Sequence, residues 1–326
     1  MPPAEGGPDP YVLPFSGGVL RNRLGISNPV RLEREEADLA SARYYELLAD
    51  PPRPPFTFAT LRAVHARLFG DVYDWAGRPR TTHLRKADDP HRPFAPPHLI
   101  EARADAAFRA LAERGNLEGL GRGDFVAGAA RLLADLNSVH PFRDGNGRAQ
   151  RLLLQAVAEN AGHPLTFRAV TRERMTVASM EAHRGDVSGL ARLLDEAADP
   201  RRVAAVAKVI GAMRAAGRAD WNDRYVAATV AGQPYEGTLG GRAGADFFML
   251  ARHPRRGDWV AVGDARDLPP GAATGARVAL VAAHFVPSAP SAAPTPTVAR
   301  PAGAPDPAAD GAQNRPRRGG GPSPGS

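Results

Sequence analysis

Cysteine is absent from the 326 residues. That excludes disulfides, thiolate metal sites and a cysteine nucleophile, and it agrees with a reducing, cytoplasmic setting. No apolar run approaches the ~18–20 residues needed to cross a bilayer, so no membrane partner is expected. The stretch from Met1 to Pro10 carries acidic residues and prolines instead of a basic region followed by an apolar one, so a secretory signal is not expected either. No internal repeat is found. What is present is a hydrophobic share of 43% and a net charge of +7 with a pI near 10.3. The first supplies a sizeable core. The second, mostly arginine scattered through helices, supports affinity for phosphates of any kind. Taken alone it argues only weakly for a nucleic-acid partner.

Apolar periodicity organises the chain. Residues 1–30 are irregular, with turn signals at Gly17-Gly18 and Asn28-Pro29. Leu32, Leu39, Ala40, Tyr44, Leu47 and Leu48 recur at helical spacing before Pro51-Pro52 stops the helix. A second helix starts after Thr57, a candidate N-cap, and carries Leu61, Val64, Leu68 and Phe69. Residues 77–95 break the pattern, and β-prone Thr81 to Leu84 predict a short strand or hairpin followed by a loop. Helices are predicted over about 96–114, 124–137 and 145–160, with two or three more over 171–217. Beyond Trp221, short β-like runs at Tyr235–Leu239, Phe247–Ala251, Trp259–Val262 and Arg277–Val281 predict a small antiparallel module of OB-like size. From Pro287 the chain is Pro, Ala, Gly and Ser, and a disordered tail is expected.

The segment from His140 to Arg151, His-Pro-Phe-Arg-Asp-Gly-Asn-Gly-Arg-Ala-Gln-Arg, joins two predicted helices. Gly145 and Gly147 permit positive φ and close backbone approach just where a helix begins, which makes an anion nest. Asn146 can add an amide donor. Arg148 and Arg151 share one face of the first helical turn, suiting an extended polyphosphate better than a single carboxylate. Asp144 is a hard oxygen ligand where Mg²⁺ bridging phosphates would sit. His140 has the side chain for a general base near neutral pH, and Phe142 is expected to turn inward and anchor the loop. Singly, each has a bland reading: a helix-end histidine, a turn, a solvated arginine face, an N-cap aspartate. Their joint order is what points to a nucleotide site.

This segment resembles the Fic signature, His-x-Phe-x-(Asp/Glu)-Gly-Asn-Gly-Arg-x-x-Arg, at every defined position. Leu20 to Ile26, the stretch from Leu68 to Gly77, and Arg80-Thr81 also look like upstream parts of bacterial Fic toxins and secreted Fic effectors. The resemblance implies a mainly α fold: a Fic-type helical core with a β-hairpin flap, then the β module and the tail. The expected division is 1–30 irregular, 31–200 catalytic, 201–220 helical linker, 221–286 β module and 287–326 tail.

By resemblance the activity is transfer of AMP from Mg-ATP to a Tyr, Ser or Thr hydroxyl of a protein substrate. His140 would be the base and Asp144 the Mg²⁺ ligand. Phe142, Gly145, Asn146, Gly147, Arg148 and Arg151 would complete the nucleotide site. Arg80, Thr81, Thr82, His83, Leu84, Arg85 and Lys86 would form the flap that pairs with the target. Many relatives are restrained by a glutamate in a Ser/Thr-x-x-x-Glu-Gly/Asn motif. Glu118-Gly119, Glu159-Asn160 and Glu236-Gly237 have the final pair but no Ser or Thr four residues before the glutamate. Ser41 precedes Glu46 by one residue too many. A separate small antitoxin supplying that glutamate to Arg151 is therefore the expected partner. Three alternatives stay open: another donor (UMP or phosphocholine) or removal of AMP, an inactive Fic scaffold, and a basic nucleic-acid-binding protein.

Overall fold

The structure is a computed structural model that describes residues 9–86, 89–253 and 257–285. The tail expected from 287 onward lies outside the described residues. Eight α-helices and a five-stranded sheet account for most of what is described.

Helix α1 (Pro29–Ala49) starts where the Asn28 side chain accepts the Arg31 N–H, with proline at the first helical position. Thr57 and Thr60 form a reciprocal cap on α2 (Phe58–Phe69). A two-stranded hairpin, β1 (Arg85–Lys86) with β2 (Asp89–Pro93), follows. Then come α3 (Ile100–Glu113), α4 (Arg122–Val139), α5 (Asn146–Asn160), α6 (Arg172–His183) and α7 (Ser188–Ala197). Their apolar faces close one core in which Leu61, Phe125, Phe142, Leu153 and Leu193 are fully buried. The expected strand at Thr81 to Leu84 is instead irregular, and pairing begins at Arg85. Arg80 anchors the chain immediately before this stretch, through contacts described below.

Helix α8 (Pro200–Ala215) occupies the stretch expected to be a linker. It buries Val203, Val206, Val209 and Ile210 against Val226, Val260 and Val262 of the sheet, so it forms a layer of its own. The sheet runs β3 (Val226–Ala228), β6 (Gly257–Asp264), β5 (Asp246–His253), β4 (Pro234–Ala243), β7 (Arg277–Val281) in spatial order. The four predicted strands are all present. The sheet is not purely antiparallel, however: β3 pairs parallel with β6, Val226 opposite Val260. Three residues of Val-Ala-Ala carry no alternation, which is why β3 escapes a period-two reading. On the far face Phe247, Met249, Ala261, Val278 and Leu280 form a separate small core.

Among the described residues no helix is long and apolar enough to cross a membrane.

Candidate active site

The motif loop is framed by two left-handed residues. His140 ends α4 at φ 48°, ψ 63°, and Gly145 precedes α5 at φ 77°. A β-carbon at Gly145 would also sit 2.7 Å from Phe69 Cζ and 3.0 Å from His65 Nε2. Glycine is required there twice, by backbone sign and by close approach.

Within the loop the inward residues hold the backbone. Phe142 is fully buried and stacks on His65, ring centroids 3.8 Å apart. Asn146 is buried, its Oδ1 accepting the Phe142 N–H (2.9 Å) and its Nδ2 donating to the Phe142 carbonyl (2.8 Å). Both ends of the amide are thus engaged with the loop itself, so Asn146 braces the turn instead of offering the free side-chain donor expected from sequence. Phe142 likewise anchors the loop and presents no surface to a ligand.

His65, on α2, is the platform beneath them. Its Nδ1 accepts the Gly77 N–H (2.9 Å), which leaves Nε2 to donate to the Asp144 carbonyl (2.8 Å). Burial lowers its pKa to about 4, the nearby Arg148 adding to the effect and the Asp144 bond opposing it. It is therefore a neutral, single-tautomer strut. Sequence reading passed over it because a lone histidine on an apolar helix face carries no local signal.

Arg80 is a second strut. Only 2% exposed, it donates from Nε to the His140 carbonyl (2.8 Å), and from its terminal nitrogens to Thr82 (2.6 Å), Ala95 (2.6 Å) and Val139 (3.2 Å) carbonyls. These include carbonyls left over at the end of α4, a standard need of a helix C-terminus. Desolvation lowers its pKa to about 10. Arg80 consequently supports the position of His140 from below and is not available to dock a target. Of the other expected flap residues, Thr81, His83 and Arg85 are exposed and Thr82 and Leu84 half-buried, while Lys86 lies in β1. The Thr81 N–H is held by the Tyr11 hydroxyl (3.0 Å), so the N-terminal segment ties down the base of the hairpin. That segment also reaches the motif, where Asp9 accepts two bonds from Arg143 (3.0 and 2.8 Å).

The outward groups surround the start of α5. The His140 ring stacks on Phe94, centroids 3.9 Å apart and planes within 10°. Asp144 is exposed, and its Oδ1 accepts the Gly145 N–H (2.6 Å). Gly147 is exposed in the first turn, and a β-carbon there would meet the Arg151 guanidinium at 3.1 Å. No group of three or more His, Cys, Asp or Glu side chains placed to hold a metal ion occurs among the described residues. A Mg²⁺ at this site would rest on Asp144 alone among side chains, with phosphate oxygens and water completing its shell. That suits a cation that keeps much of its water and arrives with phosphates.

The two motif arginines differ. Arg148 lies over the Phe69 ring (4.4 Å) and pairs with Glu36 of α1, whose other oxygen accepts the Tyr73 hydroxyl. Glu36 is buried, and burial followed by this bond pushes the Tyr73 pKa well above its usual range. Arg151 has no carboxylate or hydrogen-bond acceptor partner among the described residues. Burial lowers its pKa, the neighbouring Arg148 charge acting the same way and Tyr44 opposing. A half-buried cation beside a helix N-terminus with no counter-ion among the described residues is suited to receive an anion. Glu36 was invisible in the linear sequence because the contact spans α1 to α5.

Two linked helices enclosing a loop of this shape, with the hairpin alongside, define the helical Fic architecture. The Fic/DOC family model matches residues 55–158. The chain is 36% identical over 190 residues to "Protein adenylyltransferase VbhT" of Bartonella schoenbuchensis, covering 58% of this chain and 39% of that protein. It is 33% identical over 184 residues to "Probable protein adenylyltransferase Fic" of Escherichia coli, covering 56% of this chain and 89% of that one. Among solved structures, "Type IV secretion system effector protein BepA" superposes with a TM-score of 0.75 at 29% identity, over 84% of this chain and 96% of that chain. The protein belongs to the Fic/DOC family. It spans well under half the length of its Bartonella schoenbuchensis relative.

Proposed function

We propose that the protein is an adenylyltransferase that moves AMP from ATP to a hydroxyl side chain of another protein. The observation that carries this reading is the complete motif loop, with a half-buried Arg151 that has no acceptor partner among the described residues beside the exposed Gly147 in the first turn of α5. The adenylyltransferase names of its relatives support it.

In this reading the first-turn N–H groups of α5, Arg148 and Arg151 hold the triphosphate. His140, fixed by the Phe94 stack and the Arg80 bond to its carbonyl, accepts the proton of the target hydroxyl. The hydroxyl oxygen forms a bond to the α-phosphorus, the α–β anhydride bond breaks, and pyrophosphate leaves with its electron pair. Mg²⁺ would supply charge neutralisation at the phosphates, with Asp144 as its protein ligand. The exposed edge of the hairpin from Thr81 to Lys86 is the proposed docking strand for the target. Control by a separate antitoxin is part of the proposal: a carboxylate from such a partner would satisfy Arg151 and displace the phosphate that needs it. Operation in the cytoplasm as a toxin goes with that control.

The test is incubation with Mg²⁺ and ATP radiolabelled at the α-phosphate in lysate of the source organism, wild type beside His140→Ala. A labelled protein band with wild type alone is expected. Label arriving only from γ-labelled ATP would make the protein a kinase, and no label from either would remove the adenylyltransferase reading.

A further inference from the structure

A second site lies far from the motif in composition and chain position. Between the helices and the sheet is a cavity of about 760 Å³, lined from both layers. Its existence has a sequence cause. Gly123, Val126 and Ala191 face it from the helices, and Ala227, Ala228 and Ala251 from the sheet. Small side chains on opposed layers cannot interdigitate, so a gap opens where interiors are normally filled.

The walls are chemically specific. Tyr225, Tyr235 and Trp259 line it, with Trp259 centred 6.0 Å from Tyr225 and 5.9 Å from Tyr235. Charged side chains line it as well, and two of the arginines are almost wholly buried: Arg174, which lies over the Tyr225 ring (5.9 Å), pairs with Glu196, and Arg202 with Asp195 (2.7 Å). Burying ion pairs at the edge of a void contributes little to stability. Of the lining cations, Arg192 bonds the Ser188 hydroxyl (3.1 Å) and Arg252 is exposed opposite Asp258 in the β5–β6 register, and neither is in an ion pair among the described residues. Asp195 and Glu196 are already committed to arginines, and Glu236 to Arg277 (2.9 Å). The charge left over at the cavity is therefore positive.

We infer that this cavity binds a planar aromatic anion of nucleotide size, its ring against Trp259 and the two tyrosines and its phosphate at Arg192 and Arg252. The volume falls within the range of small-molecule sites, roughly 300–1,000 Å³. Stacking on aromatic faces accepts any base, and guanidinium groups are the usual partners of a phosphate. The site is separate from the motif, since no residue from His140 to Arg151 lines it. Ligand binding there would bridge the helical core and the β module.

The experiment is calorimetric titration of the full chain with AMP, GMP, CMP and UMP in turn, in wild type and in an Arg148→Ala/Arg151→Ala variant that disables the motif site. At least one mononucleotide is expected to bind both proteins. Arg252→Ala, a change at an exposed position, should weaken that binding by about tenfold or more. Ala191→Trp, which fills the cavity from the helical wall, should abolish it. Three results would overturn the inference: no binding of any of the four at millimolar concentration, binding lost in the motif variant, or binding indifferent to both cavity substitutions. Binding of oligothymidylate without any mononucleotide would also overturn it, in favour of a strand-binding surface. Because the motif variant is used throughout, failure here leaves the proposed transferase reaction untouched, and failure of that reaction leaves this titration interpretable.

Discussion

The motif loop and the cavity beneath the sheet are built on opposite principles. Around the loop, the buried side chains of Asn146, His65 and Arg80 bond backbone groups, the Phe142 ring packs on His65, and the chemistry is left to a few outward atoms. In the cavity, small residues leave space, and the side chains that surround it arrive from helices and strands dispersed over the chain. One site is rigid because it is overdetermined locally. The other exists because two layers fail to fill each other. The lesson is that a contiguous motif advertises chemistry, while much of its precision is supplied from elsewhere.

The sharpest break between the two regions is His140→Ala. Removing a general base costs ~10²–10⁴-fold in rate, measured as AMP transfer, with nucleotide binding at the cavity unchanged. A loss of less than tenfold would mean that His140 is not the base.

Arg80→Ala comes next and tests whether the loop depends on its strut. Two buried carbonyls, of Ala95 and Val139, lose their donor, at ~1–3 kcal/mol for each group left unsatisfied, so a loss of roughly 2–6 kcal/mol is expected in denaturant unfolding. Arg80→Lys should recover little, because one ammonium cannot span the fan of carbonyls. Near-native stability of either variant would remove Arg80 from the support of His140.

Acid should attack the loop through His65. Its folded pKa of about 4 lies below the ordinary histidine value. Between that ordinary value and 4 the unfolded chain binds a proton that the folded chain refuses, so stability falls as pH drops through this window. Taking the ordinary pKa as ~6.5, His65 alone contributes a loss of about 2 kcal/mol by pH 5. His65→Gln should flatten that part of the stability profile. A profile equally steep in the variant would locate the acid sensitivity elsewhere.

The smallest expected effect, about tenfold in rate at saturating ATP, is that of Glu36→Gln, which weakens the ion pair orienting Arg148. A faster enzyme instead would mean that Glu36 restrains the arginine and does not position it.

Legibility followed contiguity. The helices from Pro29 to Ala215 and four of the five sheet strands were readable from period and punctuation, because each pattern is local. So was the order of groups from His140 to Arg151. The short β3 was not, since three small residues carry no alternation, and neither was its parallel pairing with β6, a tertiary choice. Arg80 was placed on the flap by its neighbours in sequence, whereas its burial depends on α4 ending directly above it.

By itself the sequence determined the order and kind of most elements, the glycine-punctuated loop and the kinds of chemistry that loop can hold, because these depend on residues a few positions apart. Only the tertiary structure decided which groups are free to act. It turned Asn146 inward, gave Arg148 a counter-ion in Glu36 from more than a hundred residues away, and left Arg151 without one among the described residues. It also opened the cavity between the helices and the sheet. Those outcomes depend on desolvation and on packing between distant elements, which no local pattern encodes.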